Sequence, residues 1–172
     1  MKRYLIIGGI IVLAAIVINY SLGGFKQIEP RLISTQNTII YGSLYEGGHS
    51  SDSLNNQISH YRKILHESNQ PGTLTIVNYV QSDLEKRGII KQFIGIEWVN
   101  NINSSNKPLD SLIIKPYNGF QFRIPIKPLV MPSPEKLKRQ AIEAAELMEG
   151  ELQDYSIEQY KDRLLIINFP LK

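Results

Sequence analysis

The sequence predicts an α+β domain made of two β-α-β-β halves, preceded by one transmembrane helix. Three observations carry this. A charge-free apolar run lies near the N-terminus, two amphipathic helical stripes share one internal spacing, and strand-like segments follow in the same order around each stripe.

The chain has 172 residues, 42% of them hydrophobic, with 9 prolines and 12 glycines. That suits one globular domain with extra segments. Of its 19 Lys and Arg, Lys2 and Arg3 precede the apolar run, so Lys26 to Lys172 carries 17 basic against 16 acidic side chains, a net of +1. A near-neutral domain argues against nucleic acid as a partner, because that surface needs clustered Lys and Arg. With no cysteine, the chain has no disulfide, thiol nucleophile or thiolate metal site, and suits either redox compartment.

Tyr4 to Phe25 is a charge-free stretch of 22 residues. At a rise of about 1.5 Å per residue, roughly 20 such residues span a bilayer core of about 30 Å. Residues 1–25 are therefore expected to form a single-pass anchor, with Tyr4 and Tyr20 at its interfaces. Lys2 and Arg3 place the N-terminus in the cytoplasm and the domain on the outer side, although Lys26 and Arg31 weigh the other way. The rival reading is a cleaved signal peptide, against which the run exceeds the usual apolar length of about 7–15 residues and no small-x-small site follows it.

Gly23-Gly24 marks a break before the domain, residues 26–172. In the first half, about residues 27–99, Gln27–Ile33 and Thr38–Tyr45 read as one long or bulged strand, closed by the turn signal Glu46-Gly47-Gly48. The hydroxyls of Ser50 to Ser53 offer an N-cap, and Leu54, Ile58, Tyr61 and Leu65 recur at helical spacing. The helix ends before Pro71-Gly72. Thr73–Val80 and Ile89–Val99 are strands, joined by a charged connection over 81–88. The polar, turn-rich stretch from Asn100 to Pro108 is the linker between halves.

The second half, about residues 111–172, repeats the order. Ser111–Tyr117 and Gly119–Lys127 are strand-like, with Pro125 and Pro128 pushing the later part to a sheet edge. Ser133-Pro134-Glu135 is a helix start, Leu137, Ala141, Ala144 and Met148 are its apolar stripe, and Gly150 is its stop. Two final strands meet at Lys161-Asp162-Arg163. The stripes differ by 83 positions throughout, and Ile76-Val77-Asn78-Tyr79 matches Ile157-Glu158-Gln159-Tyr160 at 81. In that alignment Glu158 replaces Val77.

Tyr41-Gly-Ser-Leu-Tyr-Glu-Gly47, the Ile89-to-Trp98 strand with Gly95, the helix from Ser133, and Glu158-x-Tyr160 followed by Ile166 to Leu171 together resemble the GyrI-like (gyrase-inhibitory-protein-like) family. That family shares its fold with effector-binding domains of bacterial transcription regulators and with SOUL haem-binding proteins. The resemblance covers about residues 27–172. It implies two modules around a pseudo-twofold axis, forming a curved antiparallel sheet with two helices on one side. It also implies a cleft between them for a small, often hydrophobic or cationic molecule, with Glu158 as the acid in the cleft and Tyr160 its neighbour. The chain departs from the regulators in having no DNA-binding helices and in carrying the apolar N-terminal run.

Period-two geometry puts Ser156, Glu158 and Tyr160 on one strand face and Ile157 and Gln159 on the other. If the first face lines an apolar cleft, desolvation raises the Glu158 pKa, and a cationic or donor ligand relieves the cost. Tyr41, Tyr45, Trp98, Tyr117, Phe120 and Phe122 are candidate walls, since aromatic faces suit flat or cationic ligands. His60 and His66 lie six apart, off one helical face, and His49 sits in a separate turn, so neither metal nor haem is expected. The leading expectation is small-molecule binding without a cofactor. A branch of the family implies a second, hydrolysis of small electrophiles, with Glu158 as general base, Tyr160 as donor, and Glu46 or Glu97 as a second acid. A protein-interaction scaffold is the third.

Overall fold

The computed structural model describes residues 28–68, 70–99, 110–127 and 131–172. The expected anchor over residues 1–25 lies outside them. Among the described residues no helix is long and apolar enough to cross a membrane.

Among the described residues, eight strands and three helices follow in the order β1 (Arg31–Ser34), β2 (Thr38–Gly48), α1 (Asp52–Glu67), β3 (Gly72–Tyr79), α2 (Ser82–Lys86), β4 (Ile89–Trp98), β5 (Asp110–Ile114), β6 (Asn118–Pro125), α3 (Pro134–Glu146), β7 (Tyr155–Lys161) and β8 (Leu164–Pro170). All strands join one antiparallel sheet in the order β1-β6-β8-β7-β3-β4-β2-β5. The order reads the same from either end once the halves are exchanged. The β3·β7 pair at the centre joins them.

Two sequence expectations change. The segment expected as one long strand is two, and they part company: β2 stays with its own half, while β1 pairs with β6 of the other. In return β5 pairs with β2. Each half thus lends an edge strand to the other, which β-favouring composition cannot reveal because it carries no information about partners. The connection expected over 81–88 contains the short helix α2.

Both long helices start on a serine. Ser51 Oγ accepts from Leu54 N at 3.1 Å, and Ser133 Oγ from Lys136 N at 3.3 Å with Pro134 next. These oxygens satisfy N–H groups the helix leaves unpaired. The buried face of α1 is Leu54 and Tyr61 with Ile58 and Leu65 packed beside them, as its spacing predicts. The α3 stripe differs: Leu137, Ala141 and Ala145 are buried, while Met148 lies past the helix and is half exposed. Small alanines at every fourth position turn α3 onto the sheet one residue away from the α1 pattern. Glu149 takes a left-handed φ of 55° and Gly150 N donates to Ala145 O at 2.9 Å, ending the turn.

The register sorts side chains cleanly. Tyr45, Leu74, Ile76, Ile94, Ile96 and Trp98 face α1, while Phe122, Ile124, Leu165, Ile167 and Phe169 pack with Leu137 and Ala141 of α3. On the opposite face Ile40, Val77, Phe93, Ile114 and Ile157 form a third cluster. That face is concave, because Ile33, Ile40, Thr75, Glu97, Ile114, Gln121, Ile157 and Asn168, one from each of the eight strands, line a common hollow. The segments after the two edge strands touch, with Thr35 N donating to Tyr117 O at 2.9 Å. β2 and β4 approach closely where Gly42 pairs with Gly95, since a Cβ on either would fall 2.1–2.4 Å from backbone of the neighbouring strand.

Candidate functional site

Glu158 lies in β7 between Ile76 of β3 and Ile167 of β8, on the helix side of the sheet. Antiparallel pairing keeps paired residues on one face, so Ser156, Glu158 and Tyr160 point with Asn78, Ile76 and Leu74. The Glu158 carboxylate accepts from Asn78 Nδ2 at 2.8 Å on Oε1 and from Tyr160 O–H at 2.9 Å on Oε2. Asn78 Oδ1 in turn accepts from Gln92 Nε2 at 2.6 Å. The chain Gln92–Asn78–Glu158–Tyr160 runs across β4, β3 and β7, and among the described residues Gln92 Oε1 is buried with no partner. Burial pushes the Glu158 carboxyl up, and its two donors pull it partly back. Burial, then the adjacent carboxylate, holds the Tyr160 phenol far above its ordinary range.

A cleft of about 820 Å³ opens beside this group. Pro134, Ile142 and Ala145 of α3 line it together with Ile90, Leu152, Ile167 and Phe169. Tyr79 and Tyr155 turn their rings, with centroids 6.5 Å apart, to the opposite face, where they pack with Val77 and Ile157. Among the described residues the charged lining is six acids, Glu85, Glu135, Glu146, Glu151, Asp154 and Glu158, against Lys91 and Lys138, a net formal charge of −4 with His49 left uncounted. Lys91 lies 3.9 Å from Glu46, and Glu151 pairs with Lys172 at 2.9 Å.

Of the residues singled out in the sequence, Glu158 and Tyr160 come together and Glu158 lines the cleft. The aromatic candidates go elsewhere. Tyr41, Tyr45 and Trp98 pack under α1, where Tyr45 O–H bonds to Ser51 Oγ and donates to Gly48 O at 2.9 Å. Trp98 is 1% exposed, and among the described residues its Nε1 has no partner. Phe122 packs under α3 edge-on to Phe169, and Phe120 is buried opposite Phe169 in the β6·β8 pair. Tyr117 lines the hollow on the concave face. The helices cover these rings because an aromatic on a strand has no better partner than a helix stripe. Sequence reading missed Asn78 and Gln92. A signal existed for Asn78: it is the polar residue of an apolar strand. Matching Glu158 to Val77 hid it, because Val77 pairs with Ile157 on the far face, so the counterpart of Glu158 across a twofold normal to the sheet is Ile76 or Asn78.

Neither expected second acid reaches Glu158. Glu46 is exposed beside Lys91, and Glu97 faces the concave hollow. His49 lines the cleft, and His60 stacks edge-on to Tyr61 on α1 at 5.3 Å. Among the described residues no group of His, Asp and Glu could hold a metal ion.

No protein-family model and no curated protein sequence matches the chain. Solved structures do. The C-terminal domain of EcmrR superposes with a TM-score of 0.53 at 13% identity, over 84% of this chain and 98% of that one. EcmrR in a DNA complex gives 0.56 at 14%, over 99% and 69%. A hydrolase from Listeria innocua gives 0.56 at 9%, over 90% and 98%. The chain shares the fold of these structures. At these identities the likeness is one of fold. The cleft lies on the helix side of the central β3·β7 pair, where the two halves meet.

Proposed function

We propose that the chain binds a small apolar cation in the cleft between its halves, with Glu158 as counter-charge and Tyr160 and Asn78 holding the carboxylate in place. The observation that carries this reading is a half-buried carboxylate at the floor of an apolar cleft whose charged lining nets −4. A buried carboxylate that is held by neutral donors lacks a positive partner, and a cation supplies one. The fold likeness to the EcmrR C-terminal domain supports small-molecule binding in general. The apolar segment Tyr4 to Tyr20 would hold such a domain at a membrane, on the outer side, single-pass; this rests on sequence hydropathy alone.

A thermal-shift titration with benzyltriethylammonium and a neutral aromatic of similar size tests the reading. The cation should stabilise the wild type and lose most of its effect in Glu158→Gln, while the neutral compound stabilises neither more than marginally. Equal stabilisation of both proteins removes Glu158 from the role.

Hydrolysis of a small electrophile is the second reading, favoured by the raised carboxyl of Glu158 beside a phenol at 2.9 Å. Against it, Tyr160 spends its proton on Glu158, and Glu46 and Glu97 lie outside the cleft. Turnover of an epoxide or activated ester that disappears in Glu158→Gln would move the assignment to an enzyme.

A further inference from the structure

Gln92 sits in β4 between Tyr45 of β2 and Asn78 of β3, and Asn78 lies opposite Ser156 of β7. These four side chains form one row across the helix side of the sheet. Glu158 is two residues along from Ser156, within diagonal reach of Asn78. Gln92 Nε2 donates to Asn78 Oδ1 at 2.6 Å, which leaves Asn78 Nδ2 to donate to Glu158 Oε1 at 2.8 Å. Gln92 itself gains little from its place, because its own Oε1 is buried with no partner among the described residues. A buried carbonyl oxygen left bare is a cost to the fold. The residue is better explained by what it does to Asn78 than by what it adds to stability.

A side-chain amide can turn either edge toward a neighbouring carboxyl group. With Nδ2 forward, Asn78 donates to an ionised carboxylate; with Oδ1 forward, it accepts from a protonated one. The Gln92 donor occupies Oδ1 and holds the first arrangement. A protonated Glu158 is then left with the Tyr160 oxygen as its acceptor. We propose that Gln92 is a positioning residue for the cleft: acting through Asn78, it keeps an amide N–H aimed at Glu158 and so favours the ionised carboxylate, a role that rests on Glu158 being the counter-charge for a cation. Burial pushes the Glu158 carboxyl up, and the Asn78 and Tyr160 donors oppose that rise. The charged groups that share the cleft are Glu85 of α2, Lys91 of β4, Glu135, Lys138 and Glu146 of α3, and Glu151 and Asp154 after it, with His49 before α1. Among the described residues none of them forms an ion pair with Glu158, so burial and its two neutral donors govern its ionisation. Arg62 of α1 acts on Tyr160 instead.

The test is NMR titration of the Glu158 carboxyl, with isotope-labelled glutamate side chains, in the full chain and in Gln92→Met, which keeps the size of the side chain and removes its donor. Gln92→Met frees Asn78 to turn Oδ1 to the neutral acid, and should raise the Glu158 midpoint by roughly half to one pH unit, the scale of one neutral hydrogen bond. The substitution removes one bare oxygen and bares another, so the urea midpoint should hardly change. In an Asn78→Ala background the same substitution should leave the Glu158 midpoint unmoved, since its route is gone. An unchanged midpoint in Gln92→Met alone, or an equal rise in both backgrounds, would overturn the proposal. If Gln92→Met does not fold, the wild type decides: its Gln92 side-chain amide signal should follow the Glu158 titration and cease to do so in Glu158→Gln, and a signal that stays still overturns the proposal. Benzyltriethylammonium should bind Gln92→Met about two- to tenfold more weakly than wild type near the wild-type midpoint. The titration is read without ligand, so a cation that binds neither protein counts against the cleft reading, whereas an unmoved midpoint counts against Gln92.

Discussion

At the scale of single residues, Glu158 sets a stability that depends on pH. Its carboxyl is raised in the folded chain, so the folded state keeps its proton when the unfolded state has already lost it. Folding stability therefore falls as pH rises from the ordinary carboxylate range through the raised value, and stays lowered above it. Glu97 is raised for the same first cause and adds a slope of the same sign. Urea unfolding across this range should show Glu158→Gln flattening the slope in part and the double variant with Glu97→Gln flattening it further. An unchanged slope in both would contradict the burial described for these acids. Cation binding in the cleft should run the opposite way and strengthen as Glu158 ionises. Asn78→Ala leaves one carboxylate oxygen without its donor and should weaken that binding, with a smaller effect on the fold.

At the scale of elements, the two helix caps make a comparison. Ser133 Oγ serves one backbone N–H, whereas Ser51 Oγ serves Leu54 N and also bonds to the buried Tyr45 O–H. Ser133→Ala should cost about 1 kcal/mol, and Ser51→Ala more, because it also removes one of the two bonds of the Tyr45 hydroxyl. Urea midpoints would rank them, and a reversed order would contradict the Tyr45 contact. Both helices were legible in the sequence through their serine starts and apolar spacing. Most of the strands were legible too, β3 and β4 nearly to their ends. The exchange of β1 and β5 between halves was not, since each is four or five residues long and its partner lies about 70 to 90 positions away. The Glu158–Tyr160 pair was legible because period two places them on one face. The cleft walls were not, because Ile142 and Leu152 line it only once α3 packs over β6 and β8.

At the scale of the molecule, the sheet separates the helix-side cleft from the concave face, and Gly42 and Gly95 let β2 and β4 approach closely within it. A methyl group at either would meet backbone atoms, which cannot move aside as a flexible side chain can. Gly95→Ala should therefore destabilise by about 2 kcal/mol or more and broaden the NMR signals of both the cleft and the hollow. A variant as stable as wild type would show that the strands do not approach so closely. The central claim concerns the cleft itself: that Glu158 is the counter-charge for a cationic ligand lying between the halves. Isothermal titration of wild type and Glu158→Gln with benzyltriethylammonium at a pH above the raised carboxyl range tests it most directly. The account predicts saturable one-to-one binding to the wild type that weakens at least about tenfold in the variant. Equal affinity in both proteins, or binding to neither, would contradict it.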